Sequence, residues 1–503
     1  MRSIKVYRAI DCIETLCSIA LWIVCSSALF AMLDGCTVGP KYQRPAVPAP
    51  PAYKELSTWK QAEPRDMIVR DHWWEVFQAP QLNDLEARVD HGSQTIAASA
   101  ANYEAARALV RAARAQYFPT LTTNPAITNN RVSTIAIPGI TSKGYTDTEY
   151  DLPFTASWEP DLWGRIRNNV RSNVYAAQGS AADLENVRLL SHASLASDYF
   201  ELRGVEEQKR LLDATVIAWS KYLDLTRGLL KGGLDADEAV AAAESQLEAA
   251  QAQDTNLGIA RAQYEHAIAI LLGESPSSFT LASASKEVHL PSIPAGLPAE
   301  LLERRPDIAA AERAMAGANA QIGIAKAAYF PDVVLGATGG LESLSFTDWF
   351  TWPSRFWSVG PAVAETLFDA GLRRATVRQY EAKYDGTVAN YRQTVLTAFG
   401  QVEDNLAGLR ILAQDLDQQD AAVESAQRYV KQATARNLSG LDPYLNVLTA
   451  QVNLLTYQQT YVAFQTQQML ASVQLIEALG GEWDSSQMPT ARDLRSETHQ
   501  APP

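Results

Sequence analysis

Between residues 161 and 231 the chain runs without a proline, and Leu212, Val216, Trp219, Leu223, Thr226 and Leu230 step by alternating four and three residues. That spacing is the seam of a coiled coil, so the stretch is predicted to be one continuous helix. About 70 residues at 1.5 Å each reach about 100 Å, a length that no compact domain needs. The seam returns as Val402, Leu406, Leu409, Leu412 and Leu416. A shorter period appears at Leu152, Phe154, Ala156 and Trp158, between which polar Asp151, Thr155, Ser157 and Glu159 are placed. Two-residue alternation predicts a strand with one apolar and one wet face, as where lipid lies on one side and water on the other. Trp357, Val359 and Val363 alternate with Ser358, Gly360 and Ala364 in the same way. Residues 118–130 and 330–340 are predicted as the partner strands, with 133–148 and 341–354 as loops.

The pattern is written twice. Ala113-Arg114-Ala115-Gln116-Tyr117-Phe118-Pro119 recurs 212 residues later as Ala325-Lys326-Ala327-Ala328-Tyr329-Phe330-Pro331. Gly233-Leu234-Asp235 and Leu272-Gly273 recur 207 residues later as Gly440-Leu441-Asp442 and Leu479-Gly480. Two copies of one unit therefore cover 81–274 and 297–481, joined by a proline-rich linker, 275–296. Each copy reads as a helix, two strands, a very long helix and a second helix, with Gly232-Gly233 as a hairpin turn between the last two.

Composition narrows the class. The 503 residues are 47% hydrophobic and 20% charged, which excludes wholesale disorder, a collagen-like chain and a disulfide-rich miniature protein. Fifty-seven acidic against 43 basic residues give a net charge of -14, which speaks against a nucleic-acid partner.

The amino terminus supplies an address. Arg2, Lys5 and Arg8 precede an apolar run, 16–32, that ends at Leu33-Asp34-Gly35-Cys36. This reads as an export signal over 1–35. Cys12, Cys17 and Cys25 lie inside it, so Cys36 alone would remain, and structural disulfides and zinc-thiolate sites are excluded. The Leu-x-Gly-Cys order resembles a bacterial lipobox, with Cys36 as the acylated residue; Asp34 departs from the usual small residue. Each buried acyl CH₂ contributes about 0.8 kcal/mol, so several chains hold a terminus in a leaflet. Thr37 in place of an inner-membrane retention aspartate favours outer-membrane delivery. Residues 36–80 are rich in proline and read as an extended strap, with Trp73, Trp74 and Phe77 pinning it to the helices. Residues 482–503 read as a flexible tail.

Two strands per copy make four per chain, too few to close a barrel, and an open edge in lipid leaves backbone groups unpaired at several kcal/mol each. Two chains would give eight strands and a filled interior; three give twelve, with room for water. The expected architecture is mainly α with a transmembrane β part: a trimeric α-barrel of coiled-coil hairpins under a shared β-barrel.

Three segments carry a resemblance. Residues 36–45 (CTVGPKYQRP), 302–308 (LERRPDI) and 440–445 (GLDPYL) resemble the TolC/OprM outer-membrane factor family, in particular its NodT-type lipoproteins. The resemblance covers nearly all of the mature chain. It implies a homotrimeric duct in the outer membrane of a Gram-negative bacterium, docked to a periplasmic adaptor and an inner-membrane pump of the RND or ABC type. It implies no catalytic chemistry and no cofactor beyond the lipid on Cys36. Family gates carry a constricting residue five positions after the motif glycine and an aspartate nine positions after it. Here these positions are Leu445 and Thr449, so a hydrophobic ring is expected and an aspartate ring is not. Asp442 is a candidate ionic latch, and Asp235, Asp237 and Glu238 of the first hairpin are candidate partners of Arg436 on the neighbouring one.

Enzyme chemistry finds no foothold in the sequence. The six histidines are scattered and read as surface or packing residues, and neither a Walker A sequence nor a Gly-x-Ser-x-Gly elbow is present. The competing non-enzymatic reading is a lipid-anchored periplasmic coiled-coil scaffold or adaptor without a pore, for which lipid-facing alternation would have no use.

Overall fold

The computed structural model describes residues 37–46, 50, 52–55, 72–131, 146–233, 236–283, 290–291, 301–481 and 483–495. The export signal, Cys36 and Asp235 lie outside the described residues.

The two copies fold alike. The first runs α1 (Pro80–Gly92), α2 (Gln94–Ala115), β1 (Thr120–Thr123), β2 (Ala126–Arg131), β3 (Thr146–Trp158), α3 (Arg165–Lys231) and α4 (Asp237–Leu271). The second runs α5 (Leu301–Arg304), α6 (Pro306–Ala327), β4 (Asp332–Ser343), β5 (Arg355–Ala364), α7 (Leu372–Leu438) and α8 (Leu445–Ala478). Both long helices have 67 residues, about 100 Å, as the seam predicts. Each starts behind a left-handed glycine, Gly164 or Gly371.

Glycine also turns both hairpins, because their stops need a left-handed backbone that costs other residues about 1 kcal/mol or more. At Gly440 (φ 69°) the amides of Gly440 and Leu441 reach back to the carbonyls of Asn437 and Arg436, a complete Schellman stop. Return helix α8 ends the same way at Gly480, whose missing side chain matters: a Cβ there would run into the Arg304 carbonyl. Gly273 stops α4 in the same manner, against the Gly92 carbonyl.

The thick part of the core gathers where the hairpins meet α1 and α6, around Phe77, Leu82, Tyr199, Leu202, Ile268 and Val402. Trp73, Trp74 and Phe77 are buried there, as the strap reading requires. Farther out each hairpin keeps only a thin seam, Leu223 with Val240 and Ala243 in one and Ala433 with Val447 and Ala450 in the other. The strap follows the helices: the Val38 amide donates to the Trp163 carbonyl, the Asn319 side chain donates to the Pro40 carbonyl, and the amides of Lys54 and Glu55 donate to the Glu403 carboxylate.

The tail departs from expectation. Through Arg495 it is docked rather than loose, because Trp483 is buried beside Ala182 and Ala309 and Leu494 fills a gap between Val110 and Ala177. Two large side chains in a polar segment supply enough apolar area to hold it.

The sheet is antiparallel in the order β1-β3-β4-β5, with β2 also paired to β3. β1 and β2 are one strand position, since Thr123 faces Phe154, Ala126 faces Asp151 and the register does not slip between them. The gap at Asn124-Pro125 lies opposite Leu152-Pro153, and neither proline has an amide proton to complete the ladder. Four strand positions result among the described residues. β3 starts at Thr146 and β4 runs to Ser343, so both intrude on the segments expected as loops.

Candidate channel wall and hairpin-tip site

Cross-strand rows give the sheet two unlike faces. On one, Leu121, Ala156, Ala337 and Val359 stand side by side, followed by a row of Phe154, Gly339 and Trp357. On the other, Thr122, Thr155, Thr338 and Ser358 form a row of hydroxyls, with 3.4 Å between Thr155 Oγ1 and Thr338 Oγ1. An apolar face backed by a hydroxyl face suits lipid outside and water inside. Both outer strands of this sheet, β1-β2 and β5, have one side without a strand partner among the described residues. No described helix is long and apolar enough to cross a membrane.

At the far end of the second hairpin, α8 starts at Leu445, which is 66% exposed. The helical core positions are taken by Val447 and Ala450, so Leu445 is free of intrachain packing duty. Thr449 lies one turn on, and its hydroxyl donates to the Leu445 carbonyl at 2.9 Å. Leu438 and Leu441, also exposed, extend the apolar collar around the turn; the sequence reading passed over both, although they flank the motif glycine.

Arg436 is not paired with the acids of the first hairpin among the described residues. It grips Asp442 of its own turn through two bonds, Nε to Oδ2 at 2.6 Å and Nη2 to Oδ1 at 3.1 Å, and these hold the Asp442 carboxyl below its usual range. Six residues separate the two across a tight turn, so the local partner wins over a distant one. Asn437 adds a bond to the Asp442 carbonyl. Asp237 and Glu238 instead occupy the first turn of α4, where the helix dipole favours negative charge.

What ties the two hairpins together at this level is aromatic. Tyr222 of α3 and Tyr444, just before α8, stack with ring centres 3.3 Å apart and planes 7° from parallel. Burial raises the Tyr444 phenol, keeping it neutral. Their pairing is not visible in the sequence, because the contact spans 222 residues of chain.

His192 is the second omission. It is buried, its ring is stacked on Trp74 at 4.6 Å, its Nδ1 lies 2.7 Å from Glu86 Oε2, and its Nε2 lies 3.4 Å from Asp90. Burial opposes the imidazolium, but the bonds to Asp90 and Glu86 prevail and raise its pKa to about 9. Glu86 is raised by burial to about 7, against the pull of His192. Both shifts are upward, so both contribute stability in acid that is lost on going alkaline, Glu86 from about 4.5 to 7 and His192 from 6.5 to about 9. The thermal unfolding midpoint in detergent should therefore fall between pH 5 and pH 9. Glu86→Gln combined with His192→Asn should flatten that slope, and an unchanged slope would show that the cluster does not control it. Among the described residues no group of three or more His, Cys, Asp or Glu is arranged to hold a metal ion.

Comparison with known proteins decides the lineage. The profile of the outer membrane efflux protein family matches residues 88–274 and 297–481, one match per copy. The chain belongs to the outer membrane efflux protein family. It is 32% identical over 478 residues to the probable efflux pump outer membrane protein SepC of Pseudomonas putida, covering 93% of this chain and 99% of that one. The toluene efflux pump outer membrane protein TtgF, from another strain of Pseudomonas putida, is equally similar, with the same coverage. Among solved structures, that of the outer-membrane channel OprN superposes with a TM-score of 0.82 at 29% identity, over 89% of this chain and all of that one.

As an outer membrane efflux protein, the chain is a channel protein of the outer membrane. The two-faced sheet is the part that meets lipid, and the helical hairpins reach away from it into the periplasm. A pore-free scaffold is thereby set aside.

Proposed function

We propose that three copies of this chain close their sheets into one twelve-stranded β-barrel and their helices into one tube. This tube is the passive outer-membrane duct of a tripartite efflux system, docked to a periplasmic adaptor and an inner-membrane pump of the RND or ABC type. The observation that carries the reading is the sheet: among the described residues it has four strand positions, lipid-type and water-type faces, and an unpaired side at each margin. Bilayer hydrocarbon offers no partner for those amides and carbonyls, and closure supplies one. Eight strands from two copies would be filled by their own side chains, whereas twelve leave a water path. The duct does no catalytic chemistry; energy comes from the pump. Small molecules are the cargo, as the name of TtgF indicates for toluene in that relative. The test is direct: the protein purified in mild detergent should have the mass of three chains and give discrete conductance steps in planar bilayers. A monomer without conductance would refute the reading.

Cys36 is proposed to carry the lipid. Support comes from where the strap begins, since Thr37 packs on Gly164 and Val38 bonds to Trp163, just past the end of β3 at the rim of the sheet. An acyl group one residue earlier is within reach of the leaflet. Cys36→Ser should abolish labelled palmitate incorporation while the protein still assembles in the outer membrane, because the barrel is itself an anchor. Continued labelling would overturn the assignment.

A further inference from the structure

The connection from β4 to β5, residues 344–354, is an ordered turn that carries its apolar side chains on the outside. The Thr351 and Ser354 hydroxyls both donate to the Asp348 carbonyl at 2.6 Å, the Asp348 amide donates to the Ser345 carbonyl, and Ser345 Oγ lies 2.8 Å from Thr347 Oγ1. Leu344, Phe346, Phe350 and Trp352 are exposed, Trp352 to 78%. So many large apolar groups in one short turn mark an interaction surface rather than scattered hydrophobics.

Its anchor shows which side of the sheet it leans on. Trp349 is buried and its indole donates to the Leu341 carbonyl at 3.3 Å, while the rings of Phe346 and Trp349 lie 5.7 and 5.5 Å from that of Tyr150. Side chains alternate along β3, so Tyr150 shares a face with Leu152 and Phe154, the lipid-type face. The turn is folded onto that face and away from the hydroxyl face. Depth agrees with this placement. From the Val333–Val363 row to the Tyr150–Ser343 row, the lipid-type face carries Leu335, Ala156, Phe154 and Leu341, and no charge except Arg355. Those rows span about 34 Å of strand, or about 26 Å at the usual barrel tilt, the height of the apolar band of an outer-membrane barrel. The turn begins where that band ends, at the level of lipid headgroups.

Charge is sorted between the faces at this end. Asp147, Glu149 and Asp151 of β3 and Glu342 of β4 all fall on the hydroxyl face. Arg355, across from Leu341, and Arg131, across from Thr146, fall on the lipid-type face, with no acid in either row. Neither arginine has an ion-pair partner among the described residues. Arg131 donates to the Thr146 hydroxyl, and the Arg355 guanidinium lies over the Trp352 ring, Cζ 3.8 Å from the ring centre. Stacking covers one face of the guanidinium and leaves the N–H groups on its edge free, the arrangement in which arginine takes a phosphate bidentately.

We propose that the 344–354 turn and Arg355 form a lipid clamp: the aromatic side chains sit among the headgroups of the outer leaflet, and Arg355 and Arg131, at opposite margins of the sheet, each bind a phosphorylated one. This rests on the Phe154 face being the lipid face. The occupant is an anionic lipid because the surface continues the face that meets hydrocarbon, and because a neutral headgroup would leave two arginines without a counter-charge. A turn held in the leaflet is also held off the channel mouth.

The full-length protein in mild detergent, titrated with bisphosphorylated lipid A, should bind it in preference to phosphatidylcholine, read from the mass of the intact protein with its bound lipids. Lipid A stripped of its phosphates should bind as weakly as phosphatidylcholine, and inorganic phosphate should not compete, since it has no contact for the aromatics. Arg355→Gln should lower the affinity about tenfold, the size of one charge-assisted contact. Asp147→Asn with Glu149→Gln, on the opposite face, should leave it unchanged; the heat-modifiable band of each variant checks its assembly. No preference for the phosphorylated lipid, or full affinity in Arg131→Gln combined with Arg355→Gln, overturns the clamp and leaves the lipid face in place. A rise in unit conductance in Trp352→Ala overturns it too, because the turn then lies in the mouth. If Phe154→Arg and Thr155→Arg reach the outer membrane equally, the lipid face itself fails and the clamp falls with it.

Discussion

Phe154→Arg is expected to keep the protein out of the outer membrane. Phe154 stands in the apolar row with Gly339 and Trp357, on the face that meets hydrocarbon. An arginine at mid-bilayer depth on such a face costs about 2–4 kcal/mol in each chain, and every copy of the proposed ring would bear it. That is a large fraction of the about 5–15 kcal/mol that stabilises an ordinary domain, and each ~1.4 kcal/mol is tenfold, so assembly should fall by an order of magnitude or more. The neighbouring Thr155→Arg is the control: its side chain joins the hydroxyl row on the other face, where water solvates the charge. Thr155→Arg should assemble normally and alter ion selectivity instead. The assay is the yield of heat-modifiable oligomer in the outer-membrane fraction. Equal yields for the two variants would mean that the sheet does not meet lipid, and a reversed order would mean that the faces are assigned the wrong way round.

The second large effect concerns the hairpin tips. Tyr222→Ala removes a stacked aromatic pair that contributes about 0.5–1.5 kcal/mol beyond its buried area, and it frees the second hairpin from the first. A loss of about 1 kcal/mol per chain corresponds to roughly fivefold in the balance between closed and open tips. Leu445→Ala acts differently, because Leu445 is exposed and supports no intrachain core; it should widen the aperture without loosening the hairpins. Single-channel recording separates the two effects. Tyr222→Ala should raise open probability at constant unit conductance, and Leu445→Ala should raise unit conductance itself. If Leu445→Ala leaves conductance unchanged, the constriction lies elsewhere, and the collar of Leu438 and Leu441 is the next place to look. Arg436→Ala should have a smaller effect, since the bidentate pair with Asp442 is exposed and screened by water.

Much of this molecule could be read from its sequence, and particular residues show why. The heptad seam through Leu212, Trp219 and Leu223 became a buried stripe on a 67-residue helix, because a run without proline has no cause to stop and every fourth or third apolar residue falls on one side. The glycines at 233 and 440 became left-handed turns for a reason local to each peptide. The alternation from Leu152 to Trp158 survived Pro153, since proline there cost a ladder bond without changing which way the side chains point. The site was less legible. Leu445, Thr449 and Asp442 are candidates by their distance from a motif glycine, Arg436, expected to reach the neighbouring hairpin, bonds Asp442 of its own turn, and neither the tyrosine stack nor the Glu86–His192 pair is visible in the sequence. His192 meets Glu86 across 106 residues and Tyr222 meets Tyr444 across 222, and no periodicity carries information over such spans.

The sequence by itself determined the repeat, the lengths of the hairpins, the positions of their turns and the two-faced character of the strands, because these follow from backbone geometry acting over a few residues at a time. Only the tertiary structure decided which rows line up across the sheet, which strand edges at its two margins lack a partner among the described residues, where the tail docks and which aromatic pair ties the hairpins together. Those outcomes depend on how distant segments share space, and the free energy of such contacts is fixed by packing in three dimensions rather than by neighbours along the chain.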